Sequence, residues 1–106
     1  MVTYEEFRKL ELKIATIKDV VPHPQADRLY ILTIDNGTAT KQIVAGIRLF
    51  YEVEKLKGRQ IVIVDNLEPA VIRGVESQGM LLAASDENGI SALMPDRIVK
   101  EGSIVK

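Results

Sequence analysis

The stretch "LELKIATIKDVV", Leu10 to Val21, alternates apolar and polar residues through Leu12, Lys13 and Ile14, slips phase at Ala15-Thr16, and resumes with Ile17. Unbroken alternation describes a regular half-buried strand, whereas a change of phase with no turn residue describes a strand that carries a bulge and bends. Bulges are the device by which a sheet curves far enough to close on itself. A barrel is therefore expected, with the bulge at Ala15-Thr16, Leu12 and Ile14 turned inward, and Lys13 facing solvent.

Partners for such a strand follow along the chain. "RLYILTID" and "KQIVAGI" flank Asp35-Asn36-Gly37, and Asn-Gly between apolar runs is a strong hairpin signal, although this loop runs on to about Thr40. "YEVEKLKG" supplies one helical turn ended by Gly58, and "RQIVIV" and "GMLLAA" read as two further core strands. Asp86-Glu87-Asn88-Gly89 turns the chain into "ISALM", and a tail from Pro95 carries alternating apolar residues broken by Gly102. Ahead of the first strand, Thr3 and Glu6 form a T-x-x-E capping box, with Val2 and Phe7 placed as a hydrophobic staple. A short helix is predicted from about Tyr4 to Lys9.

The order β-β-β-α-β-β is that of an OB-fold, an all-β five-stranded Greek-key barrel. It is predicted here with a short N-terminal helix, a short helix between strands 3 and 4, and a C-terminal extension. SH3-like barrels share the strand count. At 106 residues and 46% hydrophobic, the chain suits one domain over residues 1–106 with a single core. No apolar run approaches the roughly 18 residues of a membrane span, and there is no cysteine. A cytoplasmic protein without membrane association is expected, and Met1 with no linker suggests a free-standing one.

In an OB-fold the ligand meets the face of strands 2 and 3, bordered by the loops between strands 1–2 and 4–5. Those are the two chemically unusual loops here, "PHPQAD" from Pro22 to Asp27 and "NLEPAVIRGVESQ" from Asn66 to Gln78. The second is long for a connector and half apolar, and Leu67, Val71 and Val75 are expected to pin it to the barrel. His23 is the single histidine, and no nucleophile or second carboxylate accompanies His23 and Asp27, so the pair reads as a proline-fixed turn and not a catalytic site. Metal-ligand spacings and phosphate-loop lysines are absent, so no catalysis, metal or cofactor is expected.

Fourteen Lys and Arg against fifteen Asp and Glu leave a net charge of −1. A binder that worked by bulk phosphate neutralisation would be clearly basic, so any nucleic-acid binding must come from a local patch and from shape. Lys13, Arg28, Lys41 and Arg73 fall near the expected ligand face, while Glu5, Glu6, Glu11, Asp86 and Glu87 fall elsewhere. Gly74 and Gly79 are expected at tight turns. Met80 reads either as core or as a flexible thioether against a base or ribose. Tyr30 is the one aromatic placed where a base could stack.

The segments "HPQADRLYILTID", "KQIVAGI", "NLEPAVIRGVESQGMLLAA" and the closing "EGSIVK" together resemble the tRNA-binding domain attached to methionyl-tRNA synthetase. That domain also occurs as a free-standing tRNA-binding protein or synthetase beta subunit, and in the synthetase cofactor proteins. The resemblance runs from about Phe7 to the C-terminus. It implies an OB-fold with C-terminal additions, a homodimer, and binding to the outer corner of tRNA with little sequence discrimination, assisting a methionyl-tRNA synthetase in trans. Carried over, the implicated residues are Lys13, Arg28, Lys41, Asn66, Arg73, Ser77, Gln78 and Met80. Three positions depart from the pattern: Lys13 stands where arginine is common, Ala15 replaces a glycine, and Gln78 replaces a glutamate. An export-type peptide-binding chaperone of the same superfamily and a synthetase assembly domain are the alternative readings.

Overall fold

The structure, a computed structural model, describes residues 1–106. Its centre is a five-stranded antiparallel sheet in the order β3-β2-β1-β4-β7, built from β1 (Leu12–Pro22), β2 (Tyr30–Asp35), β3 (Thr40–Ala45), β4 (Gln60–Val64) and β7 (Met80–Leu81). Between β4 and β7 lies a separate hairpin of β5 (Ala70–Ile72) and β6 (Val75–Ser77), and after β7 a second one of β8 (Ala83–Asp86) and β9 (Gly89–Ala92). Two short helices, α1 (Tyr4–Phe7) and α2 (Val53–Leu56), stand where the sequence places them. This is the expected five-stranded OB-fold-like barrel.

Local signals explain most of these boundaries. The Thr3 hydroxyl accepts from the Glu6 N–H at 3.2 Å and the Glu6 carboxylate accepts from the Thr3 N–H at 3.3 Å, so the capping box starts α1. The staple is weaker than expected, for Val2 remains exposed. In the β2–β3 turn the Asn36 side-chain oxygen accepts from the Thr38 and Ala39 N–H groups, and Gly37 takes φ 94°. Alternation buries Tyr30, Leu32 and Ile34 on one face of β2, and these meet Ala15, Ile17, Ile43, Ile61 and Ile63 in one core.

Four expectations are corrected. The bulge lies in the β1–β2 pairing between Ile17 and Asp19, so Lys18 is the extra residue and not Ala15 or Thr16. Ala15, Ile17 and Val20 are then the residues of β1 in the main core cluster, Ile14 is buried as expected though outside that cluster, and Lys13 shares the side of Ala15 and Ile17, at the barrel end. "GMLLAA" is not one buried strand: only Met80 and Leu81 pair with β4, and Ala83 and Ala84 are exposed in the β8–β9 hairpin. Tyr30 offers no stacking platform, being buried with its hydroxyl donating to the Tyr51 carbonyl at 2.7 Å.

The tail takes the edge of β1 that β2 leaves free. Gly102 N–H donates to Ile14 O at 2.8 Å, Ile14 N–H to Ser103 O at 2.9 Å, and Val105 N–H to Leu12 O at 2.9 Å. Gly37 makes this docking close: a β-carbon there would lie 2.6 Å from the Glu101 carbonyl oxygen. At the opposite edge, β3 is joined to the β6–β7 segment largely by side chains. Ser77 Oγ accepts from Val44 N–H at 2.9 Å and Gln78 Oε1 accepts from Gln42 N–H at 3.0 Å, alongside one main-chain bond from Gln78 N–H to Gln42 O at 2.8 Å.

Candidate nucleic-acid interface

The long connector is a hairpin, not an irregular loop. Ile72 pairs with Val75 across Arg73 and Gly74, whose φ values of 52° and 86° are the two positive angles of a type I′ turn. Gly74 adopts that conformation freely, while Arg73 is the one non-glycine residue of the chain with positive φ. Of the three residues expected to pin this hairpin, Leu67 and Val71 are exposed, Val71 at 73%, and only Val75 is half-buried, so apolar anchoring is not its main support. Polar bonds hold it to the β1–β2 loop instead.

His23 is the clamp. It is buried, and its Nδ1 accepts from the Gln25 N–H at 3.0 Å, which leaves the ring proton on Nε2 facing the Ile72 carbonyl at 3.1 Å. Arg73 adds a second tie, donating to the Gln25 carbonyl at 3.1 Å. Arg48, which sequence reasoning missed, donates to the neighbouring Ala26 carbonyl at 3.2 Å. Two guanidinium groups thus hold consecutive carbonyls of one loop, beside the exposed Arg28. The resulting open cleft of about 420 Å³ is lined by Gln25, Ala26, Asp27, Arg28, Leu29 and Arg73. No arginine of the chain forms an ion pair, including with Glu68 or Glu76 near Arg73.

Lys13 and Lys41 are placed differently. Both ammonium groups reach Asp65, at 3.2 Å and 2.9 Å, and Lys41 also donates to the Asp65 carbonyl at 2.9 Å. Asn36 donates to both oxygens of the same carboxylate. Burial alone would raise the Asp65 pKa, but the hydrogen bonds from Asn36, Lys41 and Lys13 outweigh it and hold the carboxyl below the ordinary aspartate range. Much of the positive charge read at these lysines is accordingly answered within the protein.

Of the remaining candidates, Asn66 spends its amide on the N-terminal segment, donating to Lys9 O at 2.7 Å and accepting from Glu11 N–H at 2.8 Å. Ser77 is 3% exposed, and its hydroxyl donates to Gly79 O while accepting from Val44 N–H. With Gln78 it closes the barrel. Met80 is 47% exposed beside an apolar slot of about 230 Å³ formed with Val44, Ile47, Leu81 and Ile90. Arg28, Arg73 and Met80 therefore face solvent, Lys13 and Lys41 do so in part, and Asn66, Ser77 and Gln78 hold the frame. No group of three His, Cys, Asp or Glu residues stands close enough to hold a metal. No helix is long and apolar enough to cross a membrane.

Against known proteins, residues 12–104 match the family described as "Putative tRNA binding domain". The chain belongs to that family of tRNA-binding domains. It is 49% identical over 105 residues to a methionine–tRNA ligase of Thermococcus kodakarensis, covering 99% of this chain and 14% of that one. The remainder of the ligase, its catalytic part included, has no counterpart in these residues. Among solved structures, a MetRS-related protein from Pyrococcus horikoshii superposes with a TM-score of 0.93 at 32% identity, covering 100% of this chain and 98% of the other. The chaperone CsaA from Bacillus anthracis superposes with a TM-score of 0.90 at 30% identity, covering 100% and 99%.

Proposed function

We propose that this tRNA-binding domain recognises the outer corner of tRNA by shape, catalyses nothing itself, and assists aminoacylation in trans as a methionyl-tRNA synthetase beta-subunit-like protein of the cytoplasm. The observation that supports this best is the locked pair of loops, β1–β2 and β5–β6, presenting Arg28 and Arg73, with Arg48 tied to the first loop from the segment after β3 and none of the three held by a carboxylate. Arginine forks onto phosphates and stacks on exposed bases, and neither use depends on RNA sequence. Among the residues implicated, Arg28, Arg73 and Met80 would touch RNA, Lys13 and Lys41 would contribute what charge Asp65 leaves, and Asn66, Ser77 and Gln78 would position the surface.

With three or four phosphate contacts and a single-strand coefficient of about 0.7 per contact, the logarithmic salt slope of tRNA binding is expected near −2 to −3. Arg73 allows a clean test, because asparagine is favoured in a type I′ turn and has no guanidinium. Arg73→Asn loses the bond to the Gln25 carbonyl but gains a residue that suits the turn, so it should leave the melting temperature within about 5 °C, weaken different tRNAs by similar factors, and flatten the slope by about 0.7. Salt-independent binding, or equal affinity for duplex DNA of similar length, would defeat the corner-recognition reading. The similarity to CsaA favours a second reading, a peptide-binding chaperone. A gel shift comparing intact tRNA, duplex DNA and an unfolded peptide separates the two.

A homodimer belongs to the same proposal. Phe7 and Leu10 near α1, with Ile98 and Ile104 in the tail, leave apolar surface exposed on a small barrel. Two copies on one tRNA would raise avidity if both sites can reach it. Light scattering at micromolar concentration should return twice the 11.8 kDa chain mass, and a monomer mass would refute the dimer.

A further inference from the structure

The arginine cleft and the apolar slot are neighbours separated by one short segment, Gly46 to Arg48. Gly46 and Ile47 line the slot, and Arg48 donates from its main chain to the Arg28 carbonyl at 3.3 Å and from its side chain to Ala26. Leu29, on the cleft wall, lies directly under Gly46: a β-carbon at that glycine would sit 3.7 Å from Leu29 Cδ2. A cationic seat and a small apolar recess thus adjoin each other across the Leu29–Gly46 contact.

We propose that the two together seat one unstacked nucleotide of the bound RNA, its phosphate on Arg28, Arg48 and Arg73 and its base in the slot against Met80. The proposal rests on the tRNA-binding reading and adds to it a defined subsite and one residue, Arg48. Charge decides the occupant on the cleft side, where Arg28 and Arg73 line the wall with a single carboxylate, Asp27, and the Arg48 guanidinium adjoins it through its bond to the Ala26 carbonyl. An oligoanion fits there, and an apolar peptide finds nothing to pair with. Chemistry decides it on the slot side as well. Seven of its eight lining residues are apolar and the eighth is Gly46, so the slot offers apolar surface to the π-face of a base and no side-chain hydrogen-bonding group beyond the weak thioether acceptor of Met80 with which to read a base edge. Met80 supplies a polarisable sulfur that adapts to either ring size. Such a subsite selects single-stranded, unstacked nucleotides over paired ones while remaining indifferent to which base is presented.

The test uses the 106-residue chain with labelled methionine methyl groups and arginine Nε–H groups, titrated with uridine 5′-monophosphate, ribose 5-phosphate and uridine. The monophosphate should shift both the Met80 methyl and the Arg48 Nε–H resonances at millimolar concentration, ribose 5-phosphate the arginines alone, and uridine Met80 alone. Arg48→Gln should weaken the monophosphate about tenfold, the loss of one charge-assisted hydrogen bond. Met80→Ala should reduce its affinity to that of ribose 5-phosphate. Should Arg48→Gln disturb the amide spectrum by releasing the Ala26 carbonyl, Arg28→Gln makes the same test from the exposed side of the cleft. Equal affinity for monophosphate and ribose phosphate with Met80 silent would overturn the proposal. So would a Met80 response to an apolar peptide and none to the nucleotide. Parallel tRNA titrations keep the two claims apart. A chain that binds tRNA but ignores the monophosphate loses only the seat, whereas one that takes the monophosphate and ignores tRNA keeps the seat and loses the tRNA reading.

Discussion

Replacing Asp65 with alanine should cost about 3 kcal/mol of folding stability, because removing one member of a buried ion cluster strands the others. Lys13 and Lys41 would lose their shared partner, and the Asn36 amide would lose both of its acceptors. The lysine side chains keep 23% and 27% exposure, which lets water relieve part of the penalty and places the effect at the lower end for buried clusters. Urea denaturation of wild type and Asp65→Ala measures it, and a change under about 1 kcal/mol would show the cluster to be an ordinary surface arrangement. The pH dependence follows from the same geometry. The folded state holds the Asp65 pKa below its unfolded value, so its contribution is complete above the unfolded pKa and is lost as pH falls through the folded one. Asp65→Asn should therefore flatten the acid limb of the stability profile below the ordinary aspartate range and leave the neutral region parallel to wild type.

The second large effect is expected at Gly37. Valine there must hold φ near 94°, a conformation that side chains other than glycine adopt at a cost of about 1–2 kcal/mol, and its β-carbon would enter the Glu101 carbonyl. Since no flexible side chain can yield, the tail is expected to leave β1. Hydrogen exchange at the Ile14 amide reports this directly, for its acceptor is Ser103 in the tail. Gly37→Val should strip that amide of protection while Leu32 and Ile34 stay protected in the core. Unchanged protection at Ile14 would mean that the β2–β3 turn moves and the tail stays.

Features encoded within a few residues were legible in the sequence. The capping box at Thr3, the Asn36-Gly37 turn, the stop at Gly58 and the strand order all rest on contacts between near neighbours or on periodicity. Features that need a partner far along the chain were not. Alternation counted from Leu12 puts Lys13 outward, and the phase that faces the core emerges only with the bulge at Lys18. Asp65 carries no local mark of the two lysines it binds, 52 and 24 residues before it. Arg73-Gly74 carries no legible hairpin signal because each flanking strand is three residues long, too short for alternation to register. The residues carried over from the resemblance are parted by the strand register: Lys13, Lys41 and Asn66 lie at the end of the sheet where β1 begins, and Arg28 and Arg73 lie at the other, a division that depends on long-range pairing and that sequence does not display. Arg48 bears no mark in the sequence because its importance lies in which carbonyl it holds.

The union of β3 with the β6–β7 segment has a dynamic consequence. Most neighbouring strands in this barrel are laced by main-chain ladders, whereas here Ser77 and Gln78 act as two side-chain buttons on the Val44 and Gln42 amides. A button can be undone by a rotamer change without unfolding the strands on either side. The Val44 and Gln42 protons should exchange through such brief unbuttoning, orders of magnitude sooner than those of β1 and β2. Met80 lies just beyond Ser77 and Gln78, so the recess beside it would breathe with the seam, and any ligand spanning Val44 and Met80 would fasten it shut.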